Sequence, residues 1–588
     1  MDNRYENKHS ATTEKKRIPN LLTSLIINAV ILAAYLVMTH MSYETNDDYA
    51  IASRIVDGCA EVNFVNYYLC RILVPLQQSA GSINVYVIAQ LLFSFIAFTV
   101  MLKLIMDRTD SRLTRIAAAF VIAVFAADHY CSIQFTKTAA LLIITASIVV
   151  VDNMVNKGSV LKYILGLILL YAGVAFRVDG LIAAIGFAGL YLLDRIIIYR
   201  RSLKDDGYLS AGKIVTCVIV LLAVFGSYGF DHMSFRANTA TDELKAYKDY
   251  SNLRSAIVDY PVYDRFDLNY EAYQKAGISE NDLYLIDHWY FDYNGAASTE
   301  NLTAIIEADA SGEKETYTMK QAAEDCIKST MKSVRKTDST GIHIILLGVI
   351  FIWALFALRP RSWIWLILTA GLAAALYTAI YYMQRPAYRA LYIADIGAAF
   401  WMLYAISAGD DRPDDKARGH NRRDPAAVIA VCVIIASAAL ALPLYRCCGS
   451  AYKAASKKPM PAELAEYFEE HSDSFYVWGT SEKKSGANYM KPWLAPDTEA
   501  EKNVIGTGSW GTMSPYVLGK MSAYGIYDPV SDIIDNENAY YVGNKKIKRL
   551  REYYNKWYGG NGTEIIMEKT GTVGGYDIWR VFAKKDTN

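Results

Sequence analysis

Apolar and polar residues along this chain fall into long separate blocks. Stretches of about twenty residues with almost no charge recur through the first three quarters. About twenty apolar residues wound as helix are what a hydrocarbon layer of about 30 Å requires. Spanning helices are predicted at 20–41, 83–105, 115–127, 138–152, 161–176, 180–198, 213–230, 341–358, 362–383, 390–407 and 425–443. The third and fourth are short enough to form an embedded hairpin that does not fully cross. The fold class is therefore mainly α, a polytopic membrane helix bundle of about eleven transmembrane helices.

Basic residues set the orientation, because Lys and Arg are retained on the cytoplasmic side. Lys15, Lys16 and Arg17 precede the apolar run Leu21–Met38. That run is longer than a signal-peptide core and lacks a small-residue cleavage site, so it reads as an uncleaved anchor. With residues 1–19 as a cytoplasmic tail, every later inside loop is basic: Lys103 to Arg115, Lys157 and Lys162, Arg200 to Lys213, Arg359 and Arg361, and Arg412 to Arg423. The regions left outside are 42–82, 128–137, 231–340 and 444–588. The expected layout is a transmembrane module at 20–230, a helical extracytoplasmic insert at 231–340, further transmembrane helices at 341–443, and a small α/β extracytoplasmic domain at 444–588. The expected location is the cell membrane, multi-pass.

Composition narrows the partners. The 588 residues are 53% hydrophobic, with a mean hydropathy of +0.12 and no net charge. No basic face is visible, which argues against a nucleic-acid partner. The eight cysteines form no C-x-x-C pair and no His/Cys ligand spacing, which leaves zinc and thioredoxin-like chemistry unsupported. Cys59 and Cys70 share the first outside loop, where a disulfide is one reading; small apolar positions of amphipathic helices are the preferred one.

The outside segments carry their own patterns. In 231–340, acidic residues exceed basic ones by about eight, and Pro261 and Gly277 break a mostly helical sequence. In the last segment a helix near 461–471 leads to a strand at Phe475–Trp478. A basic helix at 544–557 follows, then a hairpin, Glu564–Lys569 and Tyr576–Ala583, turning at Gly574-Gly575. Trp289, Tyr290, Trp478 and Trp510 are candidate sugar-stacking faces, although aromatic side chains more often fill small cores.

The first outside loop carries the chemistry. Asn46-Asp47-Asp48 opens a short amphipathic helix, Tyr49–Val56, stopped by Gly58; a second amphipathic stretch runs from Phe64 to Leu76. Two such segments belong in the membrane interface. They would hold Asp47 and Asp48 at the surface where a lipid head group lies. Adjacent carboxylates in a partly dry site raise one another's pKa toward that of a working base. They also suit a hard divalent cation. Capping of the helix start is the plain alternative.

Asn46-Asp47-Asp48, Gln134-Phe135-Thr136-Lys137-Thr138-Ala139, the stretch from Arg254 to Asp259-Tyr260-Pro261, and Gly277-Ile278-Ser279-Glu280-Asn281-Asp282 stand within this topology. The topology, with its acidic pair in the first outside loop, short third and fourth helices and trailing extracytoplasmic domain, resembles the GT-C superfamily of membrane glycosyltransferases, which includes protein O-mannosyltransferases, aminoarabinose transferases and oligosaccharyltransferases; the four stretches resemble a group of large bacterial membrane proteins of this type. The resemblance implies a sugar donor on a polyprenyl phosphate and an extracytoplasmic glycan or lipid acceptor. It makes Asp47 or Asp48 the acid that deprotonates or orients the acceptor. In metal-dependent members further acids join from the loop between the third and fourth helices. Here that loop offers Asp128 with His129, so a Mg or Mn ion, if one is used, would draw on Asp48, Asp128 and His129.

A lipid-linked donor also needs cations on the outside, where topology makes them scarce. Lys137, Arg177, Arg385 and Arg389 are the candidates, since Arg binds phosphate bidentately and Lys as a point charge. Pairing of Arg177 with Asp179, and snorkelling of Arg385 and Arg389, compete with that role. Two other classes stay open. A transporter or lipid flippase predicts charges near the bilayer midplane, where Asp194 and Asp395 are the exceptions seen here. A membrane sensor or scaffold predicts that Asp47 is dispensable.

Overall fold

The computed structural model describes residues 19–156, 159–199, 211–311, 317–408, 423–479, 485–560 and 562–585. The expected inside cations Lys15–Arg17, Lys157, Arg200, Arg201, Lys204 and Arg412–Arg422 lie outside the described residues. The chain is mainly helical. The bundle comprises α1 (Asn20–Met38), α4 (Val85–Arg108), α5 (Arg112–Tyr130), α6 (Phe135–Val155), α7 (Val160–Phe176), α8 (Gly180–Tyr199), α9 (Ala211–Ala237), α15 (Ser339–Ala357), α16 (Trp363–Tyr382), α17 (Tyr388–Ala408) and α18 (Arg423–Ala455). Among the described residues, nine helices are long and apolar enough to cross a membrane. In the middle, α6 and α17 are enclosed on nearly all sides, while α1 lies at the edge.

The third and fourth predicted helices are longer than expected. α5 has 19 residues and α6 has 21, and both have spanning length and hydropathy. The apolar pattern stopped early because polar residues continue these helices at both ends, Asp128-His129-Tyr130 and Thr136-Lys137 under the soluble segments and Arg112 and Asp152-Asn153 at the far end. The far end shows how. There Asp152, fully buried, pairs with Arg108 and with Lys162 Nζ at 3.2 Å, and accepts a hydrogen bond from Tyr404 Oη at 2.9 Å. A satisfied carboxylate inside a helix is tolerated, so charge there does not mark the helix end. The last bundle helix is also longer than expected. α18 runs through Pro443 to Ala455, because Leu444, Cys447, Cys448 and Ala455 keep packing on the bundle.

At the opposite end lie α2 (Asn46–Val56) and α3 (Tyr67–Ala80), close to the two interfacial helices expected. Gly58 ends the first with φ +79°, a conformation costly for residues with a Cβ. Cys59 and Cys70 are both free thiols. Two very short strands, β1 (Ser42–Tyr43) and β2 (Ser132–Ile133), pair in parallel and tie the entry to α2 onto the α5–α6 turn.

The soluble segments cap this end. The insert contains α10 (Asp242–Val258), α11 (Tyr270–Lys275), α12 (Glu280–Asp287), α13 (Thr299–Ser311) and α14 (Met319–Lys336). The C-terminal segment holds α19 (Ala462–Glu470), α20 (Pro515–Ser522), α21 (Ile547–Tyr558) and a five-stranded sheet. Its strands are β3 (Phe475–Trp478), β4 (Val504–Gly506), β5 (Ala539–Val542), β6 (Thr563–Val573) and β7 (Tyr576–Lys585), in the order β4-β3-β5-β7-β6. β3 is parallel to β4 and β5, while β7 is antiparallel to β5 and β6. One hydrophobic core joins the two segments: Ile257, Leu283 and Phe291 meet Val477, Met521 and Tyr554. Asp282 adds a polar tie, pairing with Lys556 and accepting from Trp557 Nε1 at 2.9 Å. Of the aromatic sugar-binding candidates, Tyr290, Trp478 and Trp510 are buried, and Trp289 lies half-buried against the Arg254 guanidinium. They serve as core.

The cap grips the bundle through backbone. Asn84 N donates to Trp493 O at 2.9 Å, and Ile83 bridges Leu494. Within the bundle, α7 approaches α6 closely at Gly173, where an added Cβ would stand 2.6 Å from Ile143 Cγ1 and 3.0 Å from Leu142 Cβ. Small residues at such crossings let helices pack. Gly173→Val should therefore destabilise the protein by about 1–3 kcal/mol through overpacking. A lower melting temperature in detergent is the readout. Gly189→Ala, with open space at its Cβ, should leave it unchanged.

Candidate functional site

Thr45 leads into α2, so Asp47 and Asp48 both lie on its first turn. Consecutive helical positions point about 100° apart, and the two acids have different surroundings. Asp48 is fully buried. Its Oδ1 accepts from Gln90 Nε2 at 3.0 Å, Tyr86 Oη at 3.1 Å and the Phe135 backbone N at 3.2 Å. Burial raises its pKa from 3.8 to about 7, with the Asp47 charge adding to the rise and the Gln90 and Tyr86 hydrogen bonds opposing it. Asp47 is only partly covered. Its Oδ2 accepts from Thr45 Oγ1 at 3.3 Å and lies 4.0 Å from Arg389 Nη2.

Beside this pair, charges are threaded through the bundle end. Gln134 caps α6, accepting from the backbone N of Thr136 at 2.6 Å and of Lys137 at 3.1 Å. That turn points Lys137 inward, where it has no exposure at all. Its Nζ lies 2.6 Å from Glu44 Oε2 and 3.3 Å from Asp128 Oδ1. Asp128 Oδ1 also accepts from Tyr388 Oη at 2.7 Å. Asp128 Oδ2 stands 3.1 Å from His343 Nε2, and His343 Nδ1 stands 3.4 Å from Asp395 Oδ2. Tyr377 Oη donates to Asp395 Oδ1 at 2.8 Å and closes the series. Asp395 is the eighth residue of α17, so the series reaches about 10 Å into the bundle.

A cavity of about 360 Å³ opens beside it, with Glu44, Asp128, Asp338, Thr340, Tyr388 and Cys448 on its wall. Glu44 and Asp128 thus face this hollow, whereas Asp48 is packed in protein.

The four candidate phosphate contacts separate. Lys137 is enclosed and committed to two carboxylates. The other three are partly exposed at the same bundle end. Arg177 Nε donates to Asp179 at 2.7 Å, its Nη1 donates to Thr136 Oγ1 at 3.3 Å, and its guanidinium lies over the Phe135 ring. Arg385 pairs with Asp259 of the insert at 3.1 Å. Arg389 meets Asp47 as described.

The proposed metal donors are not brought together. Asp48 and Asp128 have the separate partners given above. His129 turns into the bundle, its Nδ1 3.1 Å from Ser94 Oγ and its Nε2 2.8 Å from Tyr392 Oη. Among the described residues, no three His, Cys, Asp or Glu side chains are grouped to hold a metal ion. The residues present do not fit the divalent-cation expectation.

Comparisons with protein-family models, curated proteins and solved structures find no match.

Glu44, His343, Tyr86 and Gln90 belong to the site and were not singled out in the sequence. Gln90 and His343 do carry a signal: each is a polar side chain inside a long apolar helix, where such residues are expensive and are kept for a partner. Glu44 carries none, since it lies in an ordinary polar loop.

Two predictions follow from the burial. Because the Asp48 carboxyl binds its proton more tightly when folded, the unfolded chain loses that proton first, near pH 4, and the folded chain only near pH 7. Stability should fall as pH rises between those values and level off above. Asp48→Asn keeps an acceptor oxygen and removes the titration, so its melting temperature should change less between pH 5 and pH 8 than the wild type's; an equal change would contradict the assignment. Lys137→Met leaves the buried Asp128 and the partly covered Glu44 without their ammonium. Breaking a buried pair costs about 3–5 kcal/mol, read as a lost or strongly lowered thermal transition. Adding Glu44→Gln should restore part of it.

Proposed function

We propose that the chain is a GT-C-type membrane glycosyltransferase, moving a sugar from a polyprenyl-phosphate carrier to an extracytoplasmic acceptor such as a cell-envelope polysaccharide or a glycolipid. The observation that carries this reading is the partly exposed Asp47 carboxylate 4.0 Å from the Arg389 guanidinium, at the one bundle end that bears the soluble cap. An acid and a phosphate-binding cation side by side at a membrane surface are the two charges such a reaction needs. The acceptor hydroxyl attacks the anomeric carbon and gives its proton to Asp47. The bond to the carrier's phosphate oxygen breaks, and Arg389, with Arg177 at the same bundle end against Thr136, takes up the charge left on the phosphate. Asp48 anchors the first turn of α2 to α4 and α6, and so positions Asp47. Lys137 and His343 hold Asp128 in place at the cavity wall. On this reading the N-terminus is cytoplasmic and the cap is extracytoplasmic.

The test uses purified full-length protein with a polyprenyl-phosphate sugar. General-base catalysis contributes about 10²–10⁴-fold, so Asp47→Asn should lose at least about 10²-fold in transfer with its melting temperature unchanged. Arg389→Ala should raise the donor KM. Full transfer by Asp47→Asn would end the proposal.

One observation favours a second reading, a proton-coupled transporter: the run from Glu44 through Lys137, Asp128 and His343 to Asp395 inside the bundle. Asp395→Asn separates the two. Transport driven by a pH gradient would be lost in that variant, whereas sugar transfer would survive because Asp395 lies away from Asp47.

A further inference from the structure

The insert is acidic as a whole, yet its last helix is not. α14 carries Lys320, Lys328, Lys332, Arg335 and Lys336 against Glu324 and Asp325. A capping box between Thr318 and Gln321 starts it, and Thr337 ends it in the left-handed region at φ 52°. Asp338 then caps α15, accepting from Gly341 N at 3.1 Å. A Cβ on Gly341 would stand 2.1 Å from the Ser333 carbonyl oxygen, so the two helices meet backbone to backbone. This corner folds α14 down onto the bundle instead of up into the cap.

Its depth can be read from its contacts. Cys326 is buried in a cluster with Tyr377, Leu391 and Ala394, and Ala373 packs against that cluster. Tyr377 is five residues before the end of α16 at Tyr382, about 7 Å along the helix. α14 therefore lies against the last turns of α16, at the capped end of the bundle.

The rest of its surface is sorted. At 100° per residue, Val334, Ile327 and Met331 continue the buried face of Ala322 and Cys326 around one flank. That flank is uncovered: Ile327 is 59% exposed and Met331 is 51%. Lys328, Lys332, Arg335 and Lys336 occupy the outer face, all exposed; Glu324 and Asp325 share that face, Asp325 3.9 Å from Lys328 Nζ, which leaves it an excess of two positive charges. An apolar flank and a cationic face, side by side on a helix lying against a membrane bundle, match the boundary between acyl chains and head groups.

We propose that α14 is an interfacial helix that binds anionic phospholipid of the leaflet at the capped end. Ile327 and Met331 enter the acyl boundary, and Lys328, Lys332, Arg335 and Lys336 meet the lipid phosphates. This holds whether or not the chain transfers sugar. Amide hydrogen exchange of the full chain tests it, in nanodiscs of phosphatidylcholine alone or mixed with phosphatidylglycerol. Amides of 319–336 should exchange several-fold more slowly in the mixed discs. In K328Q/K332Q/R335Q/K336Q that slowing should vanish while exchange in α16 is unchanged. In Ile327→Ser with Met331→Ser, α14 should lose protection in both compositions. Equal exchange in the two compositions, slowing retained in the charge variant, or the same slowing from inorganic phosphate on phosphatidylcholine discs would each overturn the proposal.

Discussion

An ammonium group sealed inside a helix bundle must be matched by negative charge, and that constraint organises this end of the molecule. Lys137 has no exposure, and Glu44 and Asp128 stand on either side of it. A bare charge in so dry a place costs several kcal/mol, a large share of a protein's total stability. The three groups are therefore placed as a set. Glu44 arrives from the loop after α1, Asp128 from the end of α5, and Lys137 from the start of α6. The β1–β2 pairing holds those chain segments in register. Because Asp128 also faces His343, the N-terminus of α15 is drawn into the same knot.

The Asp47–Asp48 turn hangs from this knot. Glu44 and Asp48 are four residues apart in one segment, and Asp48 is bonded to α4 and to the Phe135 N at the start of α6. The α2 helix thus has little freedom to tilt, and Asp47 is presented beside Arg389 from a rigid support. Rigid placement is what an acid at a reaction centre needs, and it distinguishes Asp47 from an ordinary surface carboxylate.

The soluble segments add a roof built from both halves of the sequence. The insert and the C-terminal segment share one core and reach back to the bundle at Arg54, Asn84 and Arg385. The Arg385–Asp259 pair links the roof to the loop that leads into α17, whose second residue is Arg389.

Most of the helices were legible from hydropathy, because twenty-residue apolar blocks have no other use in water. The two amphipathic segments after α1, the hairpin at Gly574-Gly575 and the breaker at Gly277 were legible for similarly local reasons. Where local reasoning failed, the cause was a distant partner. Asp152 looked like the end of a helix until Arg108, Lys162 and Tyr404 met it. Lys137 looked like an available cation until Glu44 and Asp128 closed on it. Asp47 and Asp48 are neighbours of the same type, and nothing local separates them; the packing of α4 and α6 leaves one dry and the other open. Periodicity and composition act over a few turns, so the chain alone specified a membrane bundle with an acidic first loop. Which charges neutralise one another, and which stay open, depends on contacts between residues from nine to more than three hundred positions apart, and folding alone supplies those.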